Sequence, residues 1–366
     1  MLKNKSIKVS LFTLLFLLSL SFFPLTARAS RESDVKPIAE QPESQSELLL
    51  GTVCKITIYD YPEDETFEAA FARIDDIEQQ MSITIADSSM SAVNANAGIA
   101  PTAVPTDTYT VVEEAVRIAE LSEGAFDPSV GPLVQAWGIG TDFARVPDEE
   151  EIRQLLKLVD YRSITLNPDN RTVFPEMAGM VIDLGGIAKG FAADAVREVL
   201  LDHGVGSAII NLGGNVLTVG EKPGNRAFRI GIQDPDRDRG TYVIILSIRD
   251  TAIVTSGPYE RFFTVDDTLY HHILDTDSGY PVDSDIGSIS IIAHDSFAAD
   301  ALSTAYYSMG IEKGMAMIEQ LEGVEAIAIT KSRQVIMSSG ISGSSMYEIT
   351  DSSFSEITLE QYLETR

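Results

Sequence analysis

The sequence predicts an α+β fold, and three observations carry that prediction. Runs such as "DETFEAAFARIDDIEQQM" repeat apolar residues at helical spacing, with Phe67, Ala70, Phe71, Ile74 and Ile77 along one face. Short β-branched runs, among them "SAIINL", "FRIGIQ", "TYVIILSI" and "EAIAITK", include consecutive strands in the C-terminal half, which argues against a doubly wound sheet. The third is size: 366 residues with 44% hydrophobic content can bury a large core, in one large or two ordinary domains.

Taken in order, residues 1–29 read as a secretory signal peptide. Lys3, Lys5 and Lys8 precede an apolar run over 11–23, and Ala27 and Ala29 suit cleavage. The run is short for a membrane span, and no cysteine follows it to carry a lipid. An exported protein is expected, periplasmic or on the extracytoplasmic face of a bacterial membrane. Membrane contact would come only through an uncleaved signal segment or a membrane-complex partner. Residues 30–47 are polar and proline-containing, a flexible lead-in.

The folded domain is expected over 48–345, opening on a strand in "LLLGTVCKITIYDY". There Cys54, Ile56 and Ile58 face one way and Val53, Lys55, Thr57 and Tyr59 the other. Helices are expected in "TYTVVEEAVRIAELSEG", "DEEEIRQLLKLV", "AKGFAADAVREVLLDHG" and "SFAADALSTAYYSMG", several closed by the glycine that helix ends favour. Residues 346–366 are a C-terminal tail. Cys54 is the only cysteine, so no intrachain disulfide forms. A net charge of −28 excludes nucleic acid as a partner.

Four segments could carry chemistry. In "VIDLGGIAKGFAADAV", Asp183 ends a strand, and Gly185 and Gly186 turn the chain into a helix whose free N–H groups would meet an anion. A plain strand-to-helix turn fits the same residues, which match neither a Walker loop nor a dinucleotide fingerprint. "SEGAFDPSVGPLVQAWGIG" breaks a helical pattern with four glycines around Asp127 and Trp137, a loop for an aromatic ligand or a structural turn on a packed tryptophan. "TSGPYERFF" and "YHHILDTDSGYP" supply Ser256, Gly257, Arg261, His271 and His272. Adjacent strand residues face opposite ways, so one histidine at most enters a site, and either alone could be structural. Asp300 and Thr304 stand one helical turn apart, two hard oxygen donors for a cation such as Mg²⁺, or simply solvent-facing or capping groups.

In this order the segments "GAFDPSVGPLVQAWGIG", "DLGGIAKGFAAD", "NLGGNV", "TSGPYERFF", "HHILDTDSGYP" and "ADALSTA" resemble the ApbE-type family, the FAD:protein FMN transferases of bacteria. The resemblance implies a mixed α/β architecture with an antiparallel-rich sheet and flanking helices. It implies Mg²⁺-dependent transfer of FMN from FAD to a threonine hydroxyl of an acceptor flavoprotein, within a short Asp-Xaa-Thr-type motif, releasing AMP. It places Ala125, Phe126, Asp127, Asp183, Lys189 and Leu274 at the flavin nucleotide. It places the metal on the backbone oxygen of Ala188 and the side chains of Asp300 and Thr304. His272, aligned with the family's "H-[IV]-[IL]-D" step, becomes the proton-handling group, near its natural pKa.

Two departures from the family pattern stand out. Leu50 replaces a frequent methionine, a nearly volume-conserving change. Thr84 stands where many members carry a ring that stacks on the nucleotide, and its loss would admit water. An FAD pyrophosphatase giving FMN and AMP is therefore one alternative, and a non-catalytic flavin-binding protein another.

Overall fold

A computed structural model describes residues 41–365 apart from residue 239; the expected signal peptide lies outside the described residues. Its centre is a nine-stranded sheet whose strands follow in space the order in which the chain makes them: Glu43–Leu49, Thr52–Ile58, Ser207–Leu212, Asn215–Gly220, Ala252–Ser256, Ile286–Ala293, Glu325–Thr330, Gln334–Met337 and Ser355–Glu356. Every neighbouring pair is antiparallel except the last.

The two-residue period of the strands divides the buried side chains between two cores. In Glu325–Thr330, Ala326 and Ala328 enter a core shared with the helices Asp64–Met81, Thr106–Leu121, Ala188–Asp202 and Ser296–Met309. Ile327 and Ile329 enter a second core, closed by a small sheet of Phe228–Gln233, Tyr242–Ile248 and Tyr347–Ile349. Covered on both faces, Ile286–Ala293 is buried at all eight residues. At roughly 1.5–3 kcal/mol for each fully buried large aliphatic side chain, the two cores set the stability of the fold.

Cys54, Ile56 and Ile58 face the core, as their alternation predicts. Burial pushes the Cys54 thiol up to about 11, and it donates to Leu49 O at 3.4 Å. The helices Asp64–Met81, Ala188–Asp202 and Ser296–Met309 form where their periodicity puts them.

Three segments differ from expectation. The lead-in is shorter than 30–47, because Glu43–Leu49 is a strand pairing residue for residue with Thr52–Ile58. The joining turn puts Leu50 and Gly51 at φ 52° and 65°, the left-handed pair that matches hairpin twist. The C-terminal residues are no loose tail. The helix Leu359–Glu364 buries Tyr362 in the main core, and its cap Thr358 accepts from Gln361 N while Gln361 accepts from Thr358 N. Finally, the glycine-broken stretch around Trp137 contains the helix Gly131–Trp137, ended by Gly138 at φ 59°.

Candidate active site

The site forms where two helices touch. Gly190 in Ala188–Asp202 lies so close to Ser296–Met309 that a Cβ on it would sit 2.3 Å from Ser296 O and 2.7 Å from Asp300 Cβ. This closeness lets each helix cap the other. Asp300 Oδ2 accepts from Gly190 N at 2.9 Å, at the start of the first helix. Asp194 returns the exchange, its two oxygens accepting from Ser296 N at 3.1 Å and Phe297 N at 2.8 Å. Each carboxylate meets the positive end of the partner's dipole. Burial still holds Asp194 above the usual carboxylate range, opposed by these backbone donors and by Arg197.

Asp300 is 3% exposed, and its free oxygen Oδ1 faces Lys189 Nζ at 3.6 Å. The same ammonium lies 3.4 Å from Gly185 O. Thr304, one turn on from Asp300, faces the glycine turn, its Oγ1 3.8 Å from where a Cβ of Gly186 would be. Asp300 and Thr304 offer oxygen donors one helical turn apart, and the Ala188 carbonyl, at the first residue of the facing helix, is a third oxygen of the same hard kind. That chemistry fits a hard cation such as Mg²⁺. Among the described residues no group of three His, Cys, Asp or Glu side chains offers a different metal site.

The turn at Asp183 is built differently from expectation. The Gly185 N–H is not free, because it donates to Asp183 Oδ1 at 2.8 Å. Neither Gly185 nor Gly186 has a positive φ. Gly186 is small because a Cβ there would lie 3.1 Å from the Phe126 ring. The segment leading in is extended but not the strand expected: Val181 makes a single bridge to Val130, and Asn94 then accepts from Ile182 N at 2.8 Å and donates to Ile182 O at 3.0 Å, where a neighbouring strand would pair. Asp183 N then donates to Pro128 O at 2.7 Å. Burial pushes the Asp183 carboxyl up, opposed by Gly185 N–H and the charges of Arg261 and Lys189.

Ala125, Phe126 and Asp127 form the adjoining loop. Phe126 is buried against Gly186, while Ala125 and Asp127 line a cavity of about 520 Å³ together with Gly124, Tyr161, Thr276 and Met309. The Asp127 side chain shapes the loop: Oδ1 accepts from Ser129 N and Oγ, and Oδ2 from Tyr161 N. Desolvation raises it and these bonds oppose the rise. Leu274 is not in this group. Its side chain packs with Leu133, Trp137 and Ile152, so only its backbone, bridged to Pro281, is left to meet a ligand. Trp137 is fully buried among Phe263, Tyr270 and Tyr280 and donates to Gly279 O at 2.9 Å; it is a packing residue.

The histidines separate by hydrogen bonding. Carbonyls only accept, so His271 donates from Nε2 to Val282 O, and its Nδ1 accepts from Ile273 N; the buried ring is fully used. His272 donates from Nδ1 to Arg261 O at 3.3 Å, which leaves Nε2 as a free base. Its pKa is not near the natural value. Desolvation, then the charges of Arg261 and Lys189, lower it to about 3.

The segments that carry this geometry are shared with known proteins. The ApbE family model matches residues 50–328. The chain belongs to the ApbE family. The FAD:protein FMN transferase of Treponema pallidum (strain Nichols) is 38% identical over 81% of this chain and 87% of its own length. That of Klebsiella pneumoniae (strain 342) is 37% identical over 81% and 92%. Among solved structures, the ApbE protein of Thermotoga maritima superposes with TM-score 0.76 at 32% identity, covering 82% of this chain and 98% of its own. The flavin transferase ApbE of Vibrio cholerae gives 0.72 at 29%, covering 81% and 98%. The ApbE fold thus accounts for the antiparallel-rich sheet and its flanking helices.

Of the residues named from sequence, Lys189 lies beside Asp300 and Gly185, Thr304 faces Gly186, and the charge of Lys189 acts on Asp183 and His272; Asn94 and Asp194 were missed. A short polar side chain on the buried side of a helix was the available signal for each.

Proposed function

We propose that this ApbE-family chain is a transferase that moves FMN from FAD onto a threonine hydroxyl of an acceptor flavoprotein. The supporting observation is the neutral imidazole of His272, its Nε2 free, electrostatically coupled to Lys189 and Arg261, the two cations that also act on Asp183. The names of the relatives, FAD:protein FMN transferase, agree with it.

In this reading the loop of Ala125, Phe126 and Asp127, the backbone at Leu274, and Asp183 orient the dinucleotide. Asp183 accepts from a ligand N–H or hydroxyl. Lys189 offsets charge on the diphosphate. With a dianion between them, the charges of Lys189 and Arg261 are offset while desolvation still lowers His272, so its basicity rises in part when the substrate arrives. His272 Nε2 then takes the proton of the acceptor hydroxyl as its oxygen bonds to the FMN phosphorus. The bond to the bridging oxygen breaks and AMP leaves with that oxygen. Asp300, Thr304 and the Ala188 carbonyl would hold Mg²⁺, which supplies Lewis-acid neutralisation of the diphosphate. The acceptor carries its threonine in a short Asp-Xaa-Thr-type motif, and the enzyme works exported, periplasmic or on the extracytoplasmic face.

Thr84 favours a second reading as an FAD pyrophosphatase. It is exposed, its hydroxyl 2.9 Å from Ser82 Oγ, and it offers no ring to shield the nucleotide from water. One experiment separates the two: the mature protein with FAD and Mg²⁺, with and without a threonine-bearing acceptor. Acceptor flavin fluorescence that survives denaturation, together with AMP, supports transfer. AMP and free FMN regardless of acceptor supports hydrolysis, and neither product sinks both.

A further inference from the structure

A chain of net charge −28 repels an anionic dinucleotide at long range, so its site needs local cations. Lys189 is already engaged, with Asp300 Oδ1 at 3.6 Å and Gly185 O at 3.4 Å. Arg261 is not: its guanidinium makes no ion pair or hydrogen bond among the described residues, and it is solvent-facing.

Arg261 is nevertheless held in position. Its backbone carbonyl accepts from His272 N at 3.1 Å and from His272 Nδ1 at 3.3 Å. Its side chain passes between two glycine turns from distant parts of the chain. A Cβ on Gly51 would lie 3.7 Å from Arg261 Nη2, and one on Gly140 would lie 3.4 Å from Arg261 Cδ. Both glycines are left-handed, at φ 65° and 86°. The charge acts on Asp183 and on His272, as that of Lys189 does, so the two cations serve one space.

We propose that Arg261 grips the diphosphate of the bound dinucleotide through its planar fork, an inference resting on the flavin-transfer reading above. A preplaced guanidinium without a protein partner presents paired N–H donors suited to two phosphate oxygens. Lysine would match the charge and not the fork.

The test is flavin binding to wild type, R261A and R261K, followed by fluorescence quenching in EDTA, with circular dichroism to confirm folding. The ligands are FAD and riboflavin, which lacks phosphate. For R261A, FAD affinity should fall about tenfold or more, riboflavin affinity should hold, and the salt dependence of FAD binding should become shallower. R261K should restore the salt dependence and only part of the affinity. Equal losses for FAD and riboflavin, or no loss for either, would overturn the inference and leave the transferase reading standing. A folded wild type that binds FAD neither in EDTA nor with Mg²⁺ added would overturn that reading and the inference with it.

Discussion

Gly190→Ala sets two effects of opposite sign against each other. Alanine in a helix interior is worth about 1 kcal/mol over glycine, so propensity alone predicts a more stable protein. The structure predicts the reverse. The new Cβ would meet Ser296 O at 2.3 Å and Asp300 Cβ at 2.7 Å, below the 3.0 Å that Cβ contacts respect, and one of those atoms is backbone. Overpacking of this kind costs roughly 1–3 kcal/mol. Parting the helices also stretches the charged hydrogen bond from Gly190 N to Asp300, worth about 1.5–3 kcal/mol, and the bonds that Asp194 receives. The net expectation is a loss of about 2 kcal/mol or more, a Tm lower by about 3 °C or more. Urea and thermal melts followed by circular dichroism would measure it, with FAD turnover in Mg²⁺ falling in parallel. A Tm equal to or above wild type would refute the argument that close helix contact, more than helix propensity, governs this position.

Asp300→Asn keeps an oxygen for Gly190 N and removes the charge, so Tm should stay near wild type while Mg²⁺-dependent FAD turnover falls at least ~100-fold; unchanged turnover would remove Asp300 from the metal set. Asp183→Ala should weaken FAD binding about tenfold in a fluorescence titration without lowering Tm, since burial already disfavours that carboxylate. Wild-type affinity would make the turn structural. His272 is lowered from its usual range to about 3, so between pH 6.5 and 3 the unfolded chain binds a proton that the fold refuses, and stability is lost as pH falls. Relative to His272→Gln, wild type should lose up to ~1.4 kcal/mol per pH unit below 6.5, less for the ring's partial exposure. Paired melts at pH 7 and 5 check this; a constant difference would contradict it.

What was legible in the sequence was whatever an apolar period records. Asp64–Met81 has the bounds its periodicity gives, and the strand of Cys54, Ile56 and Ile58 buries the face it should. Glu43–Leu49 was not legible, because "ESQSELL" has no apolar alternation and is held by ladder hydrogen bonds to its neighbour. The helix Gly131–Trp137 was hidden for a related reason: its glycines read as breakers and are its two ends. At the site, residue types announced the donors, but not their engagement. The bonds from Gly185 N to Asp183 and from Ser129 N to Asp127 close two-residue side-chain turns that composition does not announce, while the bond from Tyr161 N to Asp127 and the two cations that depress His272 depend on long-range packing.

Agreement between spatial and chain order in the large sheet makes this enzyme divisible. A backbone cut at the hairpin tip between Asp266 and Asp267 leaves five contiguous strands of the large sheet on one fragment and four on the other, meeting within that sheet along the seam between Ala252–Ser256 and Ile286–Ala293, with Tyr347–Ile349 also pairing back onto Tyr242–Ile248 of the first fragment. The cut also divides the site: Asp183 and Lys189 go with the first fragment, His272, Asp300 and Thr304 with the second. Neither half owns the chemistry, so flavin turnover from two separately made pieces would be a direct reporter of their reassembly.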